Sequence, residues 1–456
     1  MSCGIASAHF NTTTRREAAW VPYREKMTDN NKPSLVRAQK LLAAGAIIEA
    51  EHCGRLAMRQ HPESAEVFHL LGLVAQALGR PDVACSWFER ALALAPTSTE
   101  VSKSLAAAHG ELPGWQSWQQ EEAQRERYVL IKPWSAGFFS EVDHVMGWCL
   151  FASITGRIPV VLWGEGFYFC DDPARNAFTD FFQPVSDVQP SSLAHRGHWF
   201  YPLKWSDDNL LREDRSKTQG PIAEQSVLSY LARSEEVVVA DYFCRPAELV
   251  NWIPATHPWH GLGLADLNRA VIARYLRPVP ELLARVESFV RQRFADRPVL
   301  AAHIRAGDKI LEDKAMWAKI AAYPQVIDTM AARLGGGEPM VFLMTDSTRV
   351  LNDYRARYGD RLVTADCVRT ELDEGLHFAR HENRRRLGEE VLFDAIVAAH
   401  CDAFVGNGES NVSCFVHAAK PWPEGRCHLF GRQISFDTVP TWTYPIPTMR
   451  RPAGLE

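Results

Sequence analysis

The side chains between positions 298 and 313 are the first in this sequence that could carry chemistry. Pro298-Val-Leu-Ala-Ala-His303-Ile-Arg305-Ala-Gly307-Asp308-Lys309 reads as a buried strand, Val299 to Ile304, that breaks at a glycine into a charged loop. Residues two apart share a face of a strand, so His303 and Arg305 leave its carboxyl end on the same side. Ligands of open α/β sheets bind at that end. A guanidinium there suits a phosphate, because its planar fork donates two parallel hydrogen bonds. Read alone, the same arginine equally suits an ion pair with a nearby acid.

Two further turns have the composition of anion sites. After Ala403–Gly406, Gly406 and Gly408 let backbone approach a phosphate closely, just ahead of Ser410 and Asn411. Gly137, in Ser135-Ala-Gly137-Phe-Phe-Ser140-Glu141-Val142-Asp143-His144, lies between a strand and an apolar helix. Backbone N–H groups and a helix N-terminus there would cover a ligand site, unless the segment is an ordinary βα turn and His144 a core histidine.

The elements that must position these groups are legible from periodicity. Tyr128–Lys132 and Ile158–Trp163 are β-branched runs expected as buried parallel strands, with a helix over Val145–Ile154 between them. Residues 164–260 are rich in Trp, Phe, Tyr and Pro, with one clear strand at Glu236–Asp241; they read as a cleft wall or a satellite core. Pro280–Phe294 has the i, i+3, i+4, i+7 spacing of an amphipathic helix. A second series follows, with strands at Val299–Ile304, Met340–Thr345, Leu362–Thr364, Ala403–Gly406 and Cys427–Phe430. Its helices are expected near Tyr323–Leu334, Ser347–Tyr358 and Gly388–His400, and the alternation predicts a doubly wound domain.

Upstream, Phe68-x-x-Leu71-Gly72-x-x-Ala75 with Ala84, Phe88, Ala91 and Pro96 has the large and small positions of a tetratricopeptide repeat. Pro62 and Pro96 are 34 residues apart, the period of that repeat. The segment would be a docking surface or a helical spacer. Gly110-Glu-Leu-Pro-Gly114 is expected to break the helices, leaving Trp115–Arg127 as a linker helix.

Composition narrows the partners. The 456 residues allow about three domains. A net charge of −5 offers no basic field for nucleic acid. No stretch reaches the ~20 apolar residues of a membrane span, and positions 1–32, without an apolar core, read as disordered rather than as a secretory signal. The ten cysteines form no CxxC pair, and their apolar settings predict a reducing, cytoplasmic location.

Three segments in order resemble the α1,6-fucosyltransferases that modify nodulation factors and the N-glycan core. His303-Ile-Arg305-Ala-Gly-Asp308-Lys309 is similar to their H-x-R-R-x-D-K, with Ala306 where the second arginine would stand. Phe342-Leu-Met-Thr345-Asp346-Ser347 is similar to their strand, Thr-Asp-Asp and helix step, although Thr345-Asp346 could equally cap a helix. Gly388-Glu-Glu-Val-Leu-Phe-Asp394 and Val405-Gly-Asn-Gly-Glu409-Ser410-Asn411-Val412 are similar to their G-x-V-L-x-D and V-x-T-x-S-S-Q-V, and Gly375-Leu-His377 with Glu382-Asn383 fits the stretch between. Gly137 to His144 resembles, with fewer glycines, their donor loop. The match runs from about 128 to 432.

The resemblance implies a GT-B-like α/β fold: two Rossmann-like domains facing a cleft, at 125–295 (acceptor side) and 296–445 (nucleotide sugar), after the tetratricopeptide segment at 33–112 and before a tail at 446–456. It implies inverting, metal-independent transfer from GDP-fucose or another GDP-sugar, without cofactor, to a glycan or peptide acceptor, with a possible protein partner on the repeats. Arg305 would hold the diphosphate, His303 and Asp394 the guanosine, and Ser410 and Asn411 the phosphates, with Gly137 and His144 at the donor loop. Lys309 and Asp313 would activate the acceptor.

The chemistry agrees with those roles. Glycosyl transfer develops oxocarbenium character and a diphosphate leaving group, which cations and N–H donors must stabilise. Inversion needs a base, and Asp308, Glu312 and Asp313 are all available after the strand. Asp171-Asp172 and Asp207-Asp208 are adjacent pairs without the D-x-D spacing of a metal-dependent transferase, so no metal is expected. Ala306 and the sparse glycines also fit an alternative: a repeat-based scaffold with a degenerate transferase domain.

Overall fold

In a computed structural model the chain forms a helical segment followed by two parallel α/β units, the GT-B-like arrangement expected. The structure describes residues 33–431 except 62, 124, 196, 203, 213–226, 232, 241–242, 308–315, 336–337 and 372–382. The segments expected at 1–32 and 446–456 lie outside the described residues, as do Asp308, Lys309, Glu312, Asp313, Gly375, His377 and Glu382. No described helix is long and apolar enough to cross a membrane.

The helical segment comprises α1 (Pro33–Ala43), α2 (Ile47–Gln60), α3 (Ala65–Ala77), α4 (Pro81–Leu94) and α5 (Thr99–Ala123). Ser64 starts α3 by accepting from the Val67 N–H, and Pro81 opens α4. Helices α3 and α4 cross closely because Gly72 has no side chain: a Cβ there would lie 2.2 Å from the Phe88 ring. The break expected at Gly110–Gly114 is absent, and α5 runs through with Pro113 inside. Pro113 and His109, whose carbonyl loses its partner, are exposed, so water replaces the missing bond.

The helical segment is fastened to the first α/β unit. On α2, Arg55 pairs with Glu51, both buried, and its Nη1 donates to the Glu248 carbonyl at 3.0 Å. Glu248 belongs to a single-turn helix, α7 (Pro246–Leu249). Its final carbonyls have no partner within the helix, and the guanidinium supplies one.

The first sheet has the order β2 (Ile158–Val161), β1 (Tyr128–Ile131), β4 (Val237–Val239), β3 (Phe200–Tyr201), all parallel. The two-residue β3 was not expected. Helix α6 (Phe138–Thr155) begins seven residues ahead of the expected Val145 and ends at Gly156, where φ is +67°. Gly147 on α6 allows backbone contact: a Cβ there would meet the Cys244 carbonyl at 2.3 Å. The aromatic stretch after β2 is a satellite core. Trp163 stacks on Phe167 at 4.4 Å, and Phe138 meets Phe181 at 4.9 Å. Burying each such ring stabilises the unit by about 1.5–3 kcal/mol.

Helices α8 (Leu264–Tyr275) and α9 (Pro280–Phe294) lead into the second unit. Its parallel sheet has the order β7 (Leu362–Val363), β6 (Met340–Thr345), β5 (Val299–Ile304), β8 (Ala403–Asn407), β9 (Cys427–Phe430). Helices α10 (Met316–Ala331), α11 (Thr348–Tyr358), α12 (Arg384–His400) and α13 (Asn411–Ala419) connect or follow the strands. Helix α10 starts seven residues before the expected Tyr323 and takes Pro324 within it. The strand order reverses between β5 and β8, which makes their carboxyl ends the topological switch point.

The carboxyl edges of the two sheets meet. Helix α6 leaves β1, α13 leaves β8, and their first turns touch: Phe139 packs on Phe415 at 4.7 Å. Asp171 of the first unit accepts the N–H groups of Arg384 and Arg385 at 2.6 and 3.1 Å, capping α12 from across the interface. Gly388 on α12 lies against Phe181 and Phe138.

Candidate functional site

The switch point gathers His303, Arg305 and Ser410 from adjacent strand ends, with Asp394 on the neighbouring α12. His303 ends β5 almost fully buried, its Nδ1 2.7 Å from Ser413 Oγ on α13. Burial, with Arg305 close by, pushes its pKa down to about 3, so the ring is neutral at physiological pH. A neutral imidazole there can hold a ribose or base by hydrogen bonding but cannot supply a cation.

Arg305 is half-buried, with Nε 3.9 Å from Asp346 Oδ2. The other oxygen of Asp346 accepts the Ala306 N–H at 2.9 Å. Asp346 thus fixes the turn after β5 and orients the guanidinium in one contact set. The helix cap at this position is not Thr345 or Asp346 but Ser347, which accepts from the Val350 N–H. Of the two readings of Arg305 in the sequence, anion ligand or ion pair, the ion pair is present and long. Ala306 is enclosed in the core beside Ile304 and Met316.

Ser410 is the first residue of the α13 turn, 4% exposed, and its Oγ has no partner among the described residues. An unsatisfied buried hydroxyl at a helix N-terminus matches an acceptor-rich anion. Asn411 beside it uses its amide nitrogen elsewhere, Nδ2 donating to Ser140 Oγ on α6 at 2.6 Å, while its Oδ1 has no partner among the described residues. It ties the two units together at the place where the sequence suggested a phosphate contact.

Asp394 projects from α12 and is 7% exposed, with Oδ1 lacking a partner among the described residues. Its Oδ2 accepts from the Cys367 thiol at 3.6 Å. Burial pushes its pKa up to about 7, against the opposing pull of Arg369 and of the thiol hydrogen bond. Burial and Asp394 in turn push the Cys367 thiol up, so it stays protonated and donates. The segment carrying Cys367 is pinned by Glu390 on α12, which accepts the Val368 N–H at 2.7 Å, and by the Thr370 N–H donating to the Asp346 carbonyl at 2.8 Å. A buried carboxyl with one open oxygen suits adjacent N–H donors such as those of guanine.

Gly137 caps α6 and His144 lies on it, in the first unit rather than at the strand ends of the second. Two of the loop amides are used internally: the N–H groups of Trp134 and Ala136 donate to the Glu141 carboxylate, itself fully buried. His144 is enclosed on α6, stacked on Phe243 at 5.6 Å and accepting from the Cys244 N–H. The acidic residue in the first turn of α6 was the signal for this self-capping.

No protein-family model matches the chain. It is 28% identical over 277 residues to nodulation protein Z of Bradyrhizobium diazoefficiens, covering 56% of this chain and 69% of that protein. To nodulation protein Z of Sinorhizobium fredii it is 26% identical over 297 residues, covering 61% and 86%. The crystal structure of fucosyltransferase NodZ from Bradyrhizobium aligns over 65% of this chain and 92% of its own, at 18% identity and a TM-score of 0.44. The chain is fucosyltransferase-like. POFUT1 in complex with GDP aligns over 67% of this fucosyltransferase-like chain and 98% of its own, at 15% identity and a TM-score of 0.38.

Proposed function

We propose that the chain transfers fucose from GDP-fucose to a hydroxyl of a glycan or protein acceptor, with inversion and without a metal. The observation that carries this reading is the placement of Arg305 and the open Ser410 hydroxyl at one switch point, with an open Asp394 oxygen on α12. The resemblance of the 303–309, 388–394 and 405–412 segments to the α1,6-fucosyltransferase motifs supports GDP-fucose as the donor.

The chemistry follows from the donors. Ionised Asp394 accepts the N1–H and 2-amino protons of guanine, a pairing a pyrimidine cannot offer. Neutral His303 bonds the nucleoside part. Arg305, Ser410 Oγ and the N–H groups opening α13 take the diphosphate. As the C1–oxygen bond breaks, charge builds on the departing GDP, and the guanidinium stabilises it. A carboxylate of the 308–315 loop removes the acceptor proton as the hydroxyl oxygen bonds C1 from the opposite face. Asp313 with Lys309 is the pair assigned this part, and Gly137 and His144 are left out.

Calorimetric titration with GDP and GDP-fucose, followed by release of GDP from GDP-fucose, tests the reading. Binding of neither ligand would refute it. Asp394→Asn should weaken GDP about tenfold or more, because an amide turns one acceptor into a donor facing guanine N–H groups. Acidity should act in the same direction. The unliganded carboxyl holds its proton up to about pH 7, so affinity for GDP should fall as pH drops from 8 to 6. For unliganded stability the sign is opposite. A raised folded pKa contributes stability below the unfolded value near 4 that is lost as pH rises through about 7. Titrations at several pH values check both, and a flat GDP affinity from pH 6 to 8 would remove Asp394 from the site.

A further inference from the structure

We infer that Lys319 is a second cation for the donor diphosphate, kept at the site by Glu409 until the donor arrives; this rests on the GDP-sugar reading above. A diphosphate carries more than one negative charge, and Arg305 already shares its own with Asp346. Another cation stands nearby. Lys319 lies in the first turn of α10, the helix that returns from β5 to β6. A crossover helix runs antiparallel to its strands. Its first turn therefore sits at the same carboxyl edge as Arg305 and Ser410.

There, Lys319 Nζ is 2.7 Å from Glu409 Oε2, and Glu409 immediately precedes Ser410. The carboxylate is itself held in place. The Glu409 N–H donates to Asn407 Oδ1 at 2.9 Å, and its side chain lies against Gly431. A carboxylate beside the N-terminus of α13 opposes anion binding there. Paired with Lys319 it becomes a neutral holder that brings an ammonium to the rim of the site. The pair is partly exposed, 29% and 39%, so it contributes little to stability. Its place beside the open Ser410 hydroxyl is what points to a ligand. An ammonium on a flexible stem can leave a carboxylate for a phosphate by changing rotamer.

Titrating the full chain with GDP and with guanosine separates phosphate contacts from the rest. Lys319→Gln should weaken GDP about tenfold and leave guanosine unchanged. Glu409→Gln removes one competing acceptor and should tighten GDP, again without effect on guanosine. A GDP affinity within twofold of wild type in Lys319→Gln overturns the inference. Equal losses for GDP and guanosine overturn it too, since they mark a structural role. Failure of the unaltered chain to bind GDP at all is a different result, and refutes the parent reading instead.

Discussion

Arg305→Ala is expected to lower the rate of GDP release from GDP-fucose about 10²–10³-fold, the scale of losing one transition-state charge stabiliser. GDP itself should bind more weakly, since hydrogen bonds to charged groups contribute about 1.5–3 kcal/mol. The rate should fall further than the affinity, because the diphosphate gains charge as the glycosidic bond breaks. Arg305→Lys should recover part of the loss, keeping the charge without the fork. Asp346→Asn provides the complementary measurement. Asp346 reaches the site through the guanidinium, at 3.9 Å, and through the Ala306 N–H, at 2.9 Å. If it acts by orienting Arg305, the two substitutions should be strongly non-additive in the double variant. Full activity in Arg305→Ala would end the proposed mechanism.

The second large effect lies far from the site. Arg55→Ala should destabilise the chain by about 3–5 kcal/mol, because it strands a buried carboxyl and removes one link between the helical segment and the first α/β unit. Glu51 is fully enclosed; burial pushes its pKa up and Arg55 opposes this. The link is the bond from Arg55 Nη1 to the Glu248 carbonyl at 3.0 Å. Beyond it the chain of buried contacts continues: the Glu248 carboxylate accepts the Arg245 N–H, and Arg245 pairs with Asp143 on α6 at 2.9 Å. The double variant Glu51→Gln with Arg55→Met removes both charges and should cost much less than Arg55→Ala. Urea denaturation of both would decide the matter. A loss below about 1 kcal/mol in Arg55→Ala would mean that water reaches Glu51.

The features legible in the sequence are the local ones, whose signals lie within a few residues. Strands β5 and β6 match their expected bounds because buried parallel strands are mostly apolar runs between turn residues, and the half-exposed edge strand β9 matches as well. Helix α9 matches because its amphipathic spacing begins at a proline. His303 and Arg305 lie at the end of β5 and Ser410 in the turn after β8, the positions that the strand pattern and the glycines indicate. Helix starts were less legible. Helices α6 and α10 begin a turn or two early because tertiary packing sustains residues that local pattern leaves ambiguous.

Which polar groups are already occupied depends on packing. Asn411 Nδ2 goes to Ser140, the Trp134 and Ala136 amides go to Glu141, and His144 is closed in beside Phe243. The Asn411 and His144 pairings could not be read locally, because they depend on how α6 meets α13 and the segment after β4; the Glu141 pairing spans only five to seven residues. The same holds for the groups that came forward. Asp346 looked like a helix cap, yet it orients Arg305 from the neighbouring strand. Lys319 and Glu409 are ninety residues apart and meet because α10, which packs on β5 and β8, starts at their shared carboxyl edge. Composition and period name the groups that can bind a nucleotide sugar. Strand order, which places β5 beside β8, selects those that remain open to do so.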